Sequence, residues 1–380
     1  MKLQGRSFQN NSPIEVNIVD ERIESVKPTS QQTNDFLIGP GFTDIQVNGY
    51  GGIDYNELYT DASKLSPVTQ LLYKAGVTTH YPTIITNSVE QISKLIKQVV
   101  ALRKTDELSR WSIEGLHMEG PFISPADGPR GAHPKEFVCG PDWNLMQQWQ
   151  EDADGLISII TLSPEWENAN HFIEQCVKNN MLVSIGHTQA THQQVLDAIS
   201  AGAKLSTHLG NGMHPVIPRF PNYLWSQLSD DRLSASVIAD GFHLPVEVIQ
   251  VFKKVKNEKM ILVSDSVSLA GMPPGDYDLH IGGQVTLTKE GKLHLRNNPT
   301  IFAGSSSNLK ECVSFLVRNN LATLSEAWEM ASIRPQKLLH SDVPVFEKDA
   351  VADLVVLKRS EDGQIEVVKA IKEGKEVYSG

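Results

Sequence analysis

Residues 181–209 read MLVSIGHTQATHQQVLDAISAGAKLSTHL, and the fold is decided here. The two flanks, MLVSIGHT (181–188) and AKLSTHL (203–209), are short apolar runs that read as buried strands. THQQVLDAISAGA between them has helical spacing and stops near a glycine. Two buried strands joined by one helix make a parallel βαβ unit. Each strand ends in a histidine, His187 and His208.

The pattern repeats outward in both directions. Further apolar runs lie at FTDIQVN (42–48), GVTTHYPTII (76–85), SIEGLHMEG (112–120), LISIITL (156–162), SASVIADGF (234–242) and MILVSDS (260–266). Helical periodicity separates them, as in VEQISKLIKQVVALRK and ENANHFIEQCVKNN. Eight βα units with nearly continuous Val/Ile/Leu strands predict an α/β fold, a (β/α)8 TIM-like barrel. An open doubly wound sheet gathers its site at one switch point, whereas here polar residues follow six of the eight runs.

A third strand end, in GLHMEGP, carries Glu119. Glu119, His187 and His208 would leave the same end of three barrel strands, where barrel enzymes build their sites. Two histidines and a carboxylate form an open catalytic metal set that leaves a position for water or substrate. The competing reading of Glu119 is a solvated carboxylate at a strand end. His117, two residues earlier on the same face, could pass for another ligand, but its deeper position favours a hydrogen-bonded core histidine. Asp265, at the end of the eighth run, is a carboxylate suited to moving protons beside the metal, or else the N-cap of the next segment. The remaining His80, His171, His192, His214, His280, His294 and His340 lack such a setting and read as structural.

The chain ends read differently. Residues 1–41 and 343–380 alternate in short β-like pieces such as IEVNIVDERIESVKP and ADLVVLKRS. Neither could bury a core alone, so the two are expected to form one composite β-sandwich beside a barrel spanning 42–342. Gly-Gly and Glu-Gly turns within 276–302 suggest a hairpin inserted after the eighth strand.

A net charge of −11 argues against nucleic-acid or anionic-membrane binding, so an anionic substrate would need locally placed Arg, His or amides. Cys139, Cys176 and Cys312 are widely spaced and form no CxxC pair, as expected of reduced thiols in a cytoplasmic protein. MKLQGRSFQNNSP lacks the apolar core of a signal peptide, and no run approaches membrane-spanning length.

PGFTDIQVNGYGG, GLHMEGPF, RGAH, SIGHT, THLGNGM, IADGFH, SDS and AGSS stand in the order and spacing of the N-acetylglucosamine-6-phosphate deacetylases, in the amidohydrolase superfamily. The resemblance extends to the closing KDAVADLVVL and covers essentially the whole chain. It implies a zinc-dependent homodimeric enzyme of amino-sugar catabolism that converts N-acetylglucosamine 6-phosphate to glucosamine 6-phosphate and acetate. It also implies that His187 and His208 are the ligand histidines and that Asp265 carries the proton. Ala132-His133 and His243 fall at the family's sugar-binding positions, with His133 suited to donate to the acetyl carbonyl. Asn211, Gly212 and Arg219 fall at its phosphate-contacting positions, where an arginine offers a bidentate fork. Arg219 can also be read as an ordinary loop arginine. Ala303, Gly304 and Ser305 could bring backbone amides to the ligand, or form a plain turn.

One departure from the superfamily pattern is informative. Many amidohydrolases carry His-x-His at the end of strand one, supplying a second metal site. This chain has Gln46-Val47-Asn48, and amides are poor zinc ligands. One divalent metal per chain, zinc, is therefore expected, with Gln46 and Asn48 hydrogen-bonding near the metal or substrate. A purely structural role for Asn48 is the alternative. Related readings keep the chemistry and change the sugar, to N-acetylgalactosamine 6-phosphate or an unphosphorylated N-acetyl sugar. A reading from another class is a non-catalytic sugar-binding protein on the same barrel.

Overall fold

The structure, a computed structural model, describes residues 1–30, 35–279, 283–341, 344–361 and 363–380. All eight expected runs are strands: Phe42–Val47, Val77–Ile85, Leu116–Glu119, Ile157–Leu162, Leu182–Ile185, Leu205–Ser206, Ser234–Val237 and Met260–Leu262. They pair in sequential order and in parallel. A parallel bridge between Val47 and Ser266 nearly closes the barrel. The expected helices appear as Val89–Thr105, Ala169–Lys178 and His192–Ala201. The last opens on a reciprocal capping box of Thr191 and Gln194 and stops at Gly202, whose φ of +117° needs a glycine.

Side-chain alternation sorts the barrel into layers. Leu116 and Met118, Ile160 and Leu162, and Val183 and Ile185 pack outward against the helices in one large core. Ile45, Tyr81, Ile159, Leu182, Leu205, Ile261 and Val263 fill the barrel centre. Above them lies a polar belt. His117 bridges the Ile45 carbonyl and Thr161 Oγ1, each at 2.8 Å, and Thr161 continues through Thr207 to Ser184 at 2.7 and 2.6 Å. His117 is thus a hydrogen-bonded core residue, held neutral because burial lowers its pKa. In the first strand the pairing register slips between Asp44 and Val47. Such a slip re-aims the chain, so that Ile45 joins the centre while Gln46 reaches the mouth.

The termini meet in one seven-stranded mixed sheet. Its seam is Leu37–Pro40, antiparallel to Leu354–Arg359 and parallel to Lys2–Ser7. Both chain ends fill one core, with Val16, Ile23 and Ile38 packed beside Leu354, Val356 and Ile371. The sheet is fastened to the barrel by Trp328, which donates to the Pro40 carbonyl at 2.7 Å and packs on Phe8 and Phe42. Lys372 adds bonds to Asp353 at 2.6 Å and Thr79 at 3.0 Å. Val343, the expected start of the C-terminal piece, lies outside the described residues.

The insertion after the eighth strand is larger than a hairpin. Gly275–Leu279, Gly283–Leu287, Leu293–Leu295 and Asn298–Phe302 form a four-stranded antiparallel sheet. The extra turn, at Arg296-Asn297, has no glycine to announce it. His280 lies outside the described residues. No helix among the described residues is long and apolar enough to cross a membrane.

Candidate active site

Glu119, His187 and His208 converge at one end of the barrel. Glu119 Oε1 lies 3.1 Å from His187 Nε2 and 3.0 Å from His208 Nε2, and the two nitrogens are 3.1 Å apart. All three side chains are at most 8% exposed. The strand ends impose unusual backbone: His187 has φ +48° and His208 φ +27°, and Asp265 across the mouth has φ +47°. Left-handed non-glycine residues are held only where the surroundings over-determine them, and they cluster at functional sites.

The donor chemistry of this triad fits a cation. His187 Nδ1 lies 2.8 Å from the Pro129 carbonyl, which can only accept, so Nδ1 carries the proton and Nε2 presents a lone pair. That lone pair faces the Glu119 carboxylate and the second imidazole. His208 Nδ1 is buried without a hydrogen-bond partner. Ligand atoms about 2.0–2.1 Å from a tetrahedral zinc lie roughly 3.3 Å from one another, close to the spacing seen. A looser group, Glu119, His133 and His187, offers ligand atoms within 4.8 Å of one another. In that group His133 Nδ1 is engaged by Thr86 Oγ1 at 2.8 Å, which leaves its Nε2 facing the cluster.

Charges in the cluster are strongly coupled. Burial pushes the Glu119 carboxyl up, but the adjoining imidazoles of His187 and His208, when they carry protons, outweigh it and hold the group well below the usual range. Burial lowers the His208 pKa, and the bond to Glu119 overturns that and raises it. His133 is pushed down to about 3 by burial and the neighbouring His187. Asp265 is pushed up to about 6 by lost hydration and by the negative charge of Glu119.

Gln46 and Asn48 are drawn into this network. Gln46 Nε2 donates to Glu119 Oε1 at 2.9 Å and to Asp265 Oδ1 at 3.1 Å, and Asn48 Nδ2 donates to Asp265 Oδ1 at 2.8 Å. Asp265 caps no helix; a bridge at Ser266 and then a turn from Ser268 follow it.

The other expected residues sit at varied distances from this core. His133 is buried, with its ring centroid 4.5 Å from that of His187, while Ala132 is exposed. Gly212 presses on the His187 ring, where a Cβ would meet Nδ1 at 2.8 Å, and Asn211 Nδ2 donates to the His208 carbonyl at 3.2 Å. Arg219 is exposed in the 213–222 loop, and its side chain makes no hydrogen bond or ion pair among the described residues. His243 is paired with Asp240 at 2.7 Å. The Ala303 and Ser305 amides are committed within the chain, to the carbonyls of Leu293 at 3.3 Å and Asp265 at 3.4 Å, so those two are not aimed at a ligand.

Three contributors escaped sequence reasoning. Thr86 directly follows the second strand, where no charged or imidazole group drew notice. Ser236 Oγ accepts the His208 amide at 2.7 Å from within an apolar run. Pro129 acts through a backbone carbonyl, which has no side-chain signature.

No protein-family model matches the chain. The structure of N-acetylglucosamine-6-phosphate deacetylase from Thermotoga maritima superposes with a TM-score of 0.85 at 26% identity, covering all of both chains. A mutant of the Mycobacterium smegmatis N-acetyl-D-glucosamine-6-phosphate deacetylase, solved in complex with N-acetyl-D-glucosamine-6-phosphate, superposes with a TM-score of 0.86 at 24% identity over 100% of this chain and 99% of that one, a likeness of fold. In sequence, N-acetylglucosamine-6-phosphate deacetylase from Bacillus subtilis is 34% identical over 284 residues, 74% of this chain and 70% of the relative. Identity at that level over so much of both chains places this protein in the N-acetylglucosamine-6-phosphate deacetylase family, among the metal-dependent amidohydrolases.

Proposed function

We propose that the chain hydrolyses the acetamide of N-acetylglucosamine 6-phosphate, giving glucosamine 6-phosphate and acetate. The observation that carries this reading is the meeting of Glu119, His187 and His208 with the Asp265 carboxylate at one barrel mouth, all four linked through the Gln46 amide or direct contacts. Glu119, His187 and His208 would hold one zinc ion, while Gln46 and Asn48 spend their N–H groups on carboxylates. A cation there would polarise the acetyl carbonyl and lower the pKa of a nearby water toward about 7.

The chain's own residues then manage the protons. Both amides donate to Asp265 Oδ1, which leaves Oδ2 to take a proton from the attacking water and return it to the departing amine. Thr86 Oγ1 lies 2.8 Å from His133 Nδ1; as the donor in that contact it keeps a proton on Nε2, the tautomer that can donate to the acetyl carbonyl. Asn211, Gly212 and Arg219 receive the phosphate, and the unpaired guanidinium of Arg219 supports that role. His243 contacts the sugar phosphate, with Ala132 and Gly304 as the further substrate contacts the resemblance implies. The Mycobacterium smegmatis complex supports the choice of ligand. The resemblance extends the reading to a cytoplasmic homodimer, with a barrel unit of residues 42–342 and a flanking unit of 1–41 and 343–380.

The test is an acetate-release panel over N-acetylglucosamine, its 6-phosphate and N-acetylgalactosamine 6-phosphate. The reading expects the highest kcat/KM on N-acetylglucosamine 6-phosphate. Preference for either other sugar would replace the substrate, and release from none would replace the activity.

A further inference from the structure

His243 is held on two sides, by a carboxylate and by an aromatic ring. Its Nδ1 lies 2.7 Å from Asp240 Oδ2, the two side chains being 7% and 4% exposed. Asp240 cannot swing to follow the ring, because its Oδ1 accepts the backbone amides of Phe242 and His243 at 2.8 and 2.9 Å. The turn between them passes through Gly241 at φ +84°, where a Cβ would meet the Phe315 ring at 2.5 Å.

The second hold comes from the inserted sheet. Phe302, at the end of the strand Asn298–Phe302, stacks on the imidazole with centroids 4.7 Å apart and planes 26° from parallel. Phe302 is braced within the insert: Lys292 Nζ lies 5.3 Å from its centroid and donates to the Pro299 carbonyl at 2.8 Å. A free imidazole has two tautomers and two ring flips. A carboxylate on Nδ1 selects the tautomer, and a stacked ring fixes the plane. His243 Nε2 makes no hydrogen bond among the described residues, so that nitrogen is left to meet a ligand.

We propose that Asp240 and Phe302 are positioning residues for His243, fixing the imidazole so that Nε2 alone meets the substrate, and that the inserted sheet thereby sets substrate affinity. This rests on the reading above that His243 contacts the sugar phosphate. The insert is then part of the recognition machinery, acting through one aromatic contact.

The experiment uses metal-loaded full-length protein labelled with ¹⁵N-histidine, with His243→Gln identifying the His243 signals. Asp240→Asn should move both ring-nitrogen signals toward averaged tautomers. It should also raise KM for N-acetylglucosamine 6-phosphate about tenfold, the scale of losing an orienting partner, with kcat and metal content little changed. Phe302→Leu should raise KM and Phe302→Tyr, which keeps the stack, should restore it. Unchanged ring signals and KM in both Asp240→Asn and Phe302→Leu would overturn the proposal, as would parallel loss of kcat and metal, which marks mere structural support. If His243→Gln itself leaves KM unchanged while Asp240→Asn still moves the ring signals, His243 is no substrate contact, and the claim on affinity fails with it.

Discussion

Asn48 Nδ2 donates to Asp265 Oδ1 at 2.8 Å, joining the end of the first barrel strand to the end of the eighth. Gln46 reaches the same oxygen and also Glu119, so two amides occupy the place where related barrels carry metal-binding imidazoles. An amide N–H orients a carboxylate without competing for a cation. On the proposed reading, this chain combines a single ligand triad with a proton carrier, Asp265, whose Oδ2 is left unbonded by the two amides.

The first prediction concerns that carrier. Asp265→Asn keeps the shape but removes the proton acceptor, and turnover should fall on the order of 10²–10⁴-fold with metal content intact. His187→Ala or His208→Ala should lose the metal together with activity. Steady-state kinetics with elemental analysis separates the two; near-native turnover in Asp265→Asn would move the role elsewhere.

A second prediction concerns the phosphate. If Arg219 grips it, Arg219→Ala should lower kcat/KM on N-acetylglucosamine 6-phosphate, by on the order of 2–5 kcal/mol if the ion pair is desolvated. Residual turnover of unphosphorylated N-acetylglucosamine should hardly change, since that sugar never made the contact. Equal losses on both substrates would show that Arg219 supports the loop or the metal site.

Stability carries a pH signature. Burial pushes the Asp44 carboxyl up to about 7, against hydrogen bonds from Ser264 and Gln46, and Asp44 Oδ2 has no partner. The folded pKa exceeds the unfolded one, so between about pH 4 and 7 the folded state binds the extra proton, and the group's contribution is lost as pH rises through that window. Asp44→Asn cannot ionise, so its stability relative to wild type should improve from pH 4 to 8, by a few kcal/mol at most. Thermal melts of the metal-loaded proteins across that range check this; a difference independent of pH would mean that Asp44 does not titrate there.

The barrel was legible because each strand is an apolar run buried on both faces, and each site residue follows such a run. Glu119, His187, His208 and Asp265 could be picked out because a charged or imidazole group is costly at a buried strand end and is rarely kept there without a partner or a ligand to meet. The tautomer of His187 was not legible, since it is set by the Pro129 carbonyl, 58 residues away. Nor were the left-handed conformations of His187, His208 and Asp265, which are imposed by packing and not by local preference. The extra turn in the insertion was missed because it contains no glycine. The stack of Phe302 on His243 joins residues 59 positions apart, and no local pattern announces it.

The most direct test of the account is acetate release from N-acetylglucosamine 6-phosphate by protein stripped of metal and titrated with zinc. Activity should vanish on stripping and return in full at one equivalent per chain, because Gln46 and Asn48 spend their N–H groups on Glu119 and Asp265 and bring no imidazole to a second ion. Acetate release by the stripped protein, or recovery only at two equivalents, would contradict it.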